Sequence, residues 1–172
     1  MSTRKGIVER MKSLGEKLEK LNTYDHQGFV KQLEYWVGQM EFFYNVLSKG
    51  KDPDTVFYKV KPAQRPQEGQ IAYFNLTRGF PKELYDGHFC YILKDFGYKF
   101  TVIPVTSLKD DSSECDPKFQ MDIEIDGIDD GRLQCSDLRT VDLQRINTTK
   151  GIYNIITPKE DIIEKVKGIL FN

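Results

Sequence analysis

The spacing of apolar residues changes once along the chain, near Gly69, and that change limits the fold more than any other feature. Before it, apolar residues recur every three or four positions. Ile7, Met11, Leu14, Leu18 and Leu21 form one stripe, with Lys, Arg and Glu on the other faces, and predict a helix over 4–22. Phe29, Leu33, Trp36, Met40, Phe43 and Leu47 form a second stripe and predict a helix over about 26–48. Asn22-Thr23-Tyr24-Asp25 interrupts the pattern. Two amphipathic helices joined so briefly suggest an antiparallel hairpin. Neither buries its stripe alone, so the expectation is packing on each other or on another element.

After Gly69 the pattern is that of strands. Lys49–Gly69, rich in Pro, Gly and polar residues, reads as a connection. Ile71–Leu76 is a strand rich in Tyr and Phe. Phe89–Leu93 and Phe100–Val105 are continuous apolar runs, as in strands covered on both faces. Phe119, Met121, Ile123 and Ile125 alternate with Gln120, Asp122 and Glu124, which marks a half-buried strand. Asp126-Gly127 and Asp130-Gly131 are turn signals, and a further strand is expected from Leu133 to about Leu138. Thr157 as N-cap, Pro158 and Glu160 open a last helix whose apolar face is Ile162, Ile163, Val166, Ile169 and Leu170. The fold class is therefore α+β. A helical hairpin (1–50) and a linker (51–68) precede a small antiparallel barrel or sandwich with a C-terminal helix (69–172).

A chain of 172 residues can bury a core without disulfides. Cys90, Cys115 and Cys135 are odd in number and lack metal-ligand spacing, so they read as reduced thiols of a cytoplasmic protein. No apolar stretch is long enough to span a membrane, and no signal-peptide core follows Met1–Gly6. With two histidines and no Cys-x-x-Cys, neither a metal site nor a cofactor is expected. The net charge of −1 argues against a strongly basic nucleic-acid binder but leaves room for a local basic groove.

Chemistry concentrates between Thr77 and Ser107. His88 enters one apolar run, and Thr106 and Ser107 close the next. An imidazole suits proton transfer near neutral pH, while hydroxyls and nearby N–H groups suit a phosphate. Each residue taken alone reads more readily as an ordinary strand end. The short connection Lys94–Lys99 predicts a hairpin, in which the start of one strand lies beside the end of the next. His88 and Thr106 are thereby expected neighbours. Gly87 permits close approach of backbone or substrate. In the loop Thr77–Asp86, Arg78 and Lys82 suit a phosphate backbone, and Phe80 and Tyr85 suit base stacking, against the plain alternative of a solvated loop. Arg139 and Arg145 offer planar donor forks for phosphate. For Arg139 an ion pair with Asp142 is the favoured reading. The acid-rich stretch Lys109–Asp130 repels nucleic acid.

From about Glu68 to Leu170 the order of these pieces resembles the MazF/PemK toxin family. Glu68-Gly69-Gln70-Ile71-Ala72-Tyr73-Phe74-Asn75-Leu76 looks like the family's opening strand. Ile103-Pro104-Val105-Thr106-Ser107 looks like the strand that ends in its catalytic Thr. Leu138-Arg139-Thr140-Val141-Asp142-Leu143-Gln144-Arg145-Ile146 resembles its Ile-Arg-Thr-Ile-Asp-Lys-x-Arg-Leu. The resemblance implies an SH3-like barrel, a homodimer, metal-independent cleavage of single-stranded RNA, and an antitoxin protein as partner. It assigns catalysis to Thr106. It also puts His88, in Asp86-Gly87-His88-Phe89, where the family has the catalytic Arg of Gly-x-Arg-Pro. Ser107, Arg78, Lys82, Tyr85 and Gly87 are then the expected phosphate and RNA contacts. A CcdB-like gyrase inhibitor with a similar barrel, or an RNA-binding module without catalysis, are the competing readings.

Overall fold

The computed structural model describes residues 4–80 and 82–171, and their contacts divide the chain into two units, one up to Gly38 and one from Gln39 onward. The first unit holds α1 (Arg4–Leu18) and most of α2 (His26–Phe42). The expected first helix stops four residues early. Its last turn tightens, with Lys20 and Leu21 N–H groups donating three residues back to Lys17 and Leu18. Asp25 opens α2 by accepting the Gly28 N–H at 2.9 Å. The expected burial of the first stripe is not what forms: Ile7, Met11 and Leu14 are each half-exposed or more.

In the second unit, α2 runs on as a π-helical turn, Phe43–Leu47, closed by the buried Ser48, whose hydroxyl lies 3.0 Å from the Phe43 carbonyl. Seven strands follow: β1 (Gln70–Asn75), β2 (Gly87–Asp95), β3 (Lys99–Ser107), β4 (Gln120–Ile123), β5 (Gly131–Gln134), β6 (Arg139–Asp142) and β7 (Tyr153–Asn154). They form one antiparallel sheet in the order β4-β5-β3-β2-β1-β7, with β6 also on β3. One edge of β3 is shared. β6 takes Lys99–Val102 and β5 takes Val105–Ser107. Pro104, which has no N–H, falls in the gap between these ladders.

The central strands are covered on both faces, which is why their sequences read as unbroken apolar runs. One face packs Ile71, Tyr91, Ile103, Val105 and Leu133 against Ile162 and Val166 of α3 (Lys159–Phe171). The other packs Ala72, Phe74, Cys90, Ile92, Phe100 and Val102 against Val141, Leu143 and Ile146, with Tyr58 and Val60 at its margin. Beyond the named strands, Phe74 bridges Ile146 and Ile125 bridges Ile155. These junctions are single bridges rather than ladders, so the sheet is a curled half-barrel with flanking helices, consistent with an SH3-like barrel.

Two expectations change. The strand from Leu133 ends at Gln134, because Cys135–Asp137 turns as a 3₁₀ helix. Arg139–Asp142 is then a strand in its own right. Thr157 Oγ1 accepts the Glu124 N–H at 2.9 Å, tying the end of β4 to the entrance of α3. Among the described residues, no helix is long and apolar enough to cross a membrane.

Candidate functional site

The ladder between β2 and β3 decides which hydroxyl His88 meets. Next to the turn the pairs are Asp95 with Phe100 and Lys94 with Thr101. Continued unbroken, that register leads His88 to Ser107. A bulge between Ile92 and Lys94 adds one residue to β2, and the pairs become Ile92 with Val102 and Phe89 with Val105. The next step of this register brings His88 to Thr106 on the same face. On its other side His88 pairs with Phe74, and Thr106 pairs with Arg132. The structure thus places both candidate catalytic residues at one end of the sheet.

His88 is partly buried, and burial lowers its pKa below the ordinary 6.5; the neighbouring Arg139 charge acts in the same direction. A hydrogen bond to the Tyr85 backbone and the carboxylates of Asp86 and Asp137 oppose the shift. The ring is consequently neutral near pH 7. One nitrogen serves Tyr85, and the other is the acceptor of a neutral imidazole. Cys90, two residues along the same face, is fully buried, and burial drives its thiol pKa far up, so it is no nucleophile.

Thr106 is engaged by an amide network. Gln134 Nε2 donates to Thr106 Oγ1 at 2.9 Å, and Gln120 Nε2 donates to Gln134 Oε1 at 3.0 Å. Gln120 Oε1 accepts the Asp116 N–H at 2.9 Å. Thr106 Oγ1 itself lies 3.4 Å from the Arg132 carbonyl, a long bond for its proton. Ser107 is exposed at the strand end opposite Gly131.

The loop between β1 and β2 is internally paired. Arg78 Nη2 meets Asp86 Oδ2 at 2.8 Å, and its guanidinium lies 4.7 Å from the Tyr85 ring centre. Both residues are thus committed to shaping the loop. Lys82 and Phe80 are exposed, Phe80 strongly so. Gly87 is needed for packing within the fold: a Cβ there would sit 2.1 Å from the Tyr73 hydroxyl.

Two residues matter that the sequence reading did not place here, Asp137 and Gln134. Asp137 Oδ1 accepts both the Leu84 N–H and Arg139 Nη2 at 3.1 Å, anchoring the loop beside His88. Arg139 therefore pairs with Asp137, and Asp142 accepts the Gln144 N–H instead. Gln134 carries no motif; its pairing opposite Gln120 and next to Thr106 emerges only with the sheet. Arg145 lies 3.5 Å from the Asn75 carbonyl, and burial lowers its pKa. Arg132, by contrast, is buried in a two-pronged pair with Asp122 (2.5 and 3.0 Å) and a bond to the Ser113 carbonyl (2.7 Å).

Two surface hollows are lined by neither His88 nor Thr106. One, of 730 Å³, lies between α3 and β4 with Asp122, Asp161 and Glu164 on its wall. The other, of 350 Å³, lies beside Asn147 and Lys150. Among the described residues, no group of three or more His, Cys, Asp or Glu side chains could hold a metal ion.

No family model matches the chain, and no curated protein matches it. Among solved structures it is similar to a chain described as an endoribonuclease in complex with its cognate antitoxin from Mycobacterial species, with 12% identity, a TM-score of 0.44, and coverage of 62% of this chain and 95% of that one.

Proposed function

We propose that this chain is a MazF/PemK-like toxin that cleaves single-stranded RNA without a metal. The observation that carries the reading is the register that brings His88 to Thr106 at one end of the sheet. In the mechanism, a 2′-hydroxyl attacks the adjacent phosphorus while neutral His88 takes its proton. The new P–O2′ bond forms as the P–O5′ bond breaks. The imidazolium then returns its proton to the departing O5′. The products are a 2′,3′-cyclic phosphate and a 5′-hydroxyl, so atoms and charge balance without a co-reactant.

Thr106 stabilises the charge that gathers on the phosphate oxygens. Its oxygen already accepts from Gln134, so its proton is the part left to offer, and the 3.4 Å contact to Arg132 is easily exchanged for a phosphate oxygen. Lys82, Ser107 and the exposed Phe80 supply further RNA contacts. A cytoplasmic homodimer controlled by an antitoxin protein belongs to the same proposal.

The test is cleavage of a long single-stranded RNA in excess EDTA, beside His88→Ala, with product ends analysed. Cyclic-phosphate ends that disappear in the variant support the reading. Failure of the full-length protein across varied RNAs, or cleavage of an all-DNA strand, rejects it.

A further inference from the structure

We propose that the β2–β3 turn carries a stacking platform for single-stranded RNA, at the opposite end of the sheet from His88; the choice of RNA as occupant rests on the function proposed above. Three large aromatic side chains gather there and stay open to solvent: Phe57 at 53%, Phe96 at 50% and Tyr98 at 46% exposure. Phe57 and Tyr98 lie with ring centres 5.2 Å apart and planes tilted by 32°. Lys99 Nζ lies 5.5 Å from the Tyr98 ring centre and 6.0 Å from that of Phe96.

The turn that presents the rings is braced. Arg65 Nη2 holds both oxygens of Asp95, at 2.7 and 2.8 Å, and reaches the Gly97 carbonyl at 2.8 Å. Gly97 N–H donates to Asp95 Oδ1 at 2.6 Å, and Gly97 has a φ of 89°, which a side chain would strain. Phe96 N–H donates to the Lys99 carbonyl at 2.9 Å. The backbone that presents Phe96 and Tyr98 is thus held before any ligand arrives, which lowers the ordering cost of binding.

Their chemistry favours a nucleic acid. Exposed ring faces beside cations are the elements by which single strands are held without sequence reading, the bases stacking and the ammonium meeting phosphate. A wholly apolar protein surface would strip water from the Lys99 ammonium without replacing it. Asp95 is held by Arg65, and Asp142, opposite Lys99, accepts the Gln144 N–H at 2.8 Å, while the segment that bears Phe57 also carries the exposed Asp52 and Asp54. In the segment that bears Phe57, Lys59 and Lys61 are exposed as well.

The eight residue steps from His88 to Phe96 span about 26 Å. A four-nucleotide RNA at the His88 end falls short of the platform, and a long one reaches it. The experiment uses the full-length protein and labelled 2′-O-methyl oligouridylates of 4 and 30 nucleotides, which have no free 2′-hydroxyl and stay intact. Phe57→Ala and Tyr98→Ala are each expected to weaken binding of the 30-mer about tenfold and to leave the 4-mer unchanged. Lys99→Gln should also lower the salt dependence of 30-mer binding by about one unit of slope. The unfolding midpoint confirms that each variant is folded, and Phe57→Tyr should retain binding. Unchanged 30-mer affinity in folded variants overturns the platform while RNA cleavage by the wild type leaves the proposed function standing. The same RNA affinity with altered self-association reassigns the rings to a protein contact. Absence of binding by the wild type to either oligomer rejects the platform.

Discussion

Gln134 donates a hydrogen bond to Thr106 Oγ1 at 2.9 Å, and its own orientation is dictated by a backbone N–H two residues away in the network. The Asp116 N–H can only donate, so Gln120 must turn its oxygen to it and its NH₂ to Gln134. Gln134 in turn must offer NH₂ to Thr106. The threonine proton is thereby directed away from Gln134. Thr106→Ala is expected to lower RNA cleavage by at least about a hundredfold, as for loss of a donor to a developing oxyanion. Gln134→Ala should lower kcat about tenfold with little change in KM. Gln134→Glu should cost more, because a carboxylate there would take the threonine proton for itself. Steady-state cleavage kinetics check the series, and a Gln134→Ala effect confined to KM would contradict it.

Burial of His88 has a defined consequence for pH dependence. A histidine whose pKa is lowered keeps its neutral, proton-accepting form at lower pH. The acid limb of kcat/KM is therefore expected to have its midpoint below 6.5, and His88→Ala to reduce the rate about 10²- to 10⁴-fold. The sign for stability is opposite to that of a paired histidine. The unfolded chain binds the proton more tightly, so this contribution is fully present above 6.5 and is lost as pH falls towards the lowered value. Proton NMR titration of the imidazole, beside a pH–rate profile, measures both.

Asp137 is the carboxylate that holds the loop and Arg139 in place, through Leu84 and Arg139 at 3.1 Å. Its charge raises the His88 pKa, while that of Arg139 lowers it. Asp137→Asn should therefore push His88 further down and move the acid limb of the rate profile to still lower pH. The loss of charge-assisted bonds should also destabilise the fold by about 1–3 kcal/mol, read by denaturant unfolding. A rise in the imidazole pKa would contradict the assignment.

Glu68 lies between Lys94 (2.8 Å) and Lys159 (3.1 Å) and accepts the Asp95 N–H, and the Lys94 bond above all brings its pKa to about 2. Because the folded value is depressed from 4.5, its stabilisation is present above that value and fades as pH falls through about 2. Glu68→Gln should cost about 1 kcal/mol or less at neutral pH, since the groups are partly exposed, and less at pH 2, where the carboxyl is about half protonated. Urea unfolding at both pH values tests this.

What was legible in the sequence follows from how each element is buried. The runs Phe89–Leu93 and Phe100–Val105 are covered on two faces and announce themselves. β6 has one buried side chain, Val141, in four residues, too little to show a period. The meeting of His88 and Thr106 was legible as a hairpin argument, but the choice of Thr106 over Ser107 depends on the bulge beside Leu93, which has no turn residue to mark it. Arg139 was given the wrong carboxylate because Asp142 is near in strand spacing, whereas Asp137 approaches only after the 3₁₀ turn at Cys135–Asp137. Gln134 was missed because a glutamine has no signature until its neighbours across the sheet are known.

The single bridges at the two junctions of the sheet also govern how a partner can attach. The terminal strands are short, four residues in β4 and two in β7, and their continuations already meet at Ile125 and Ile155. An incoming peptide that tried to extend the sheet would find little backbone to template it, and the same shortage protects the protein from polymerising through its edges. At β4 and β7, recognition by another protein therefore falls to side chains on the faces and loops, where a substitution can change one partner without disturbing the ladder beneath.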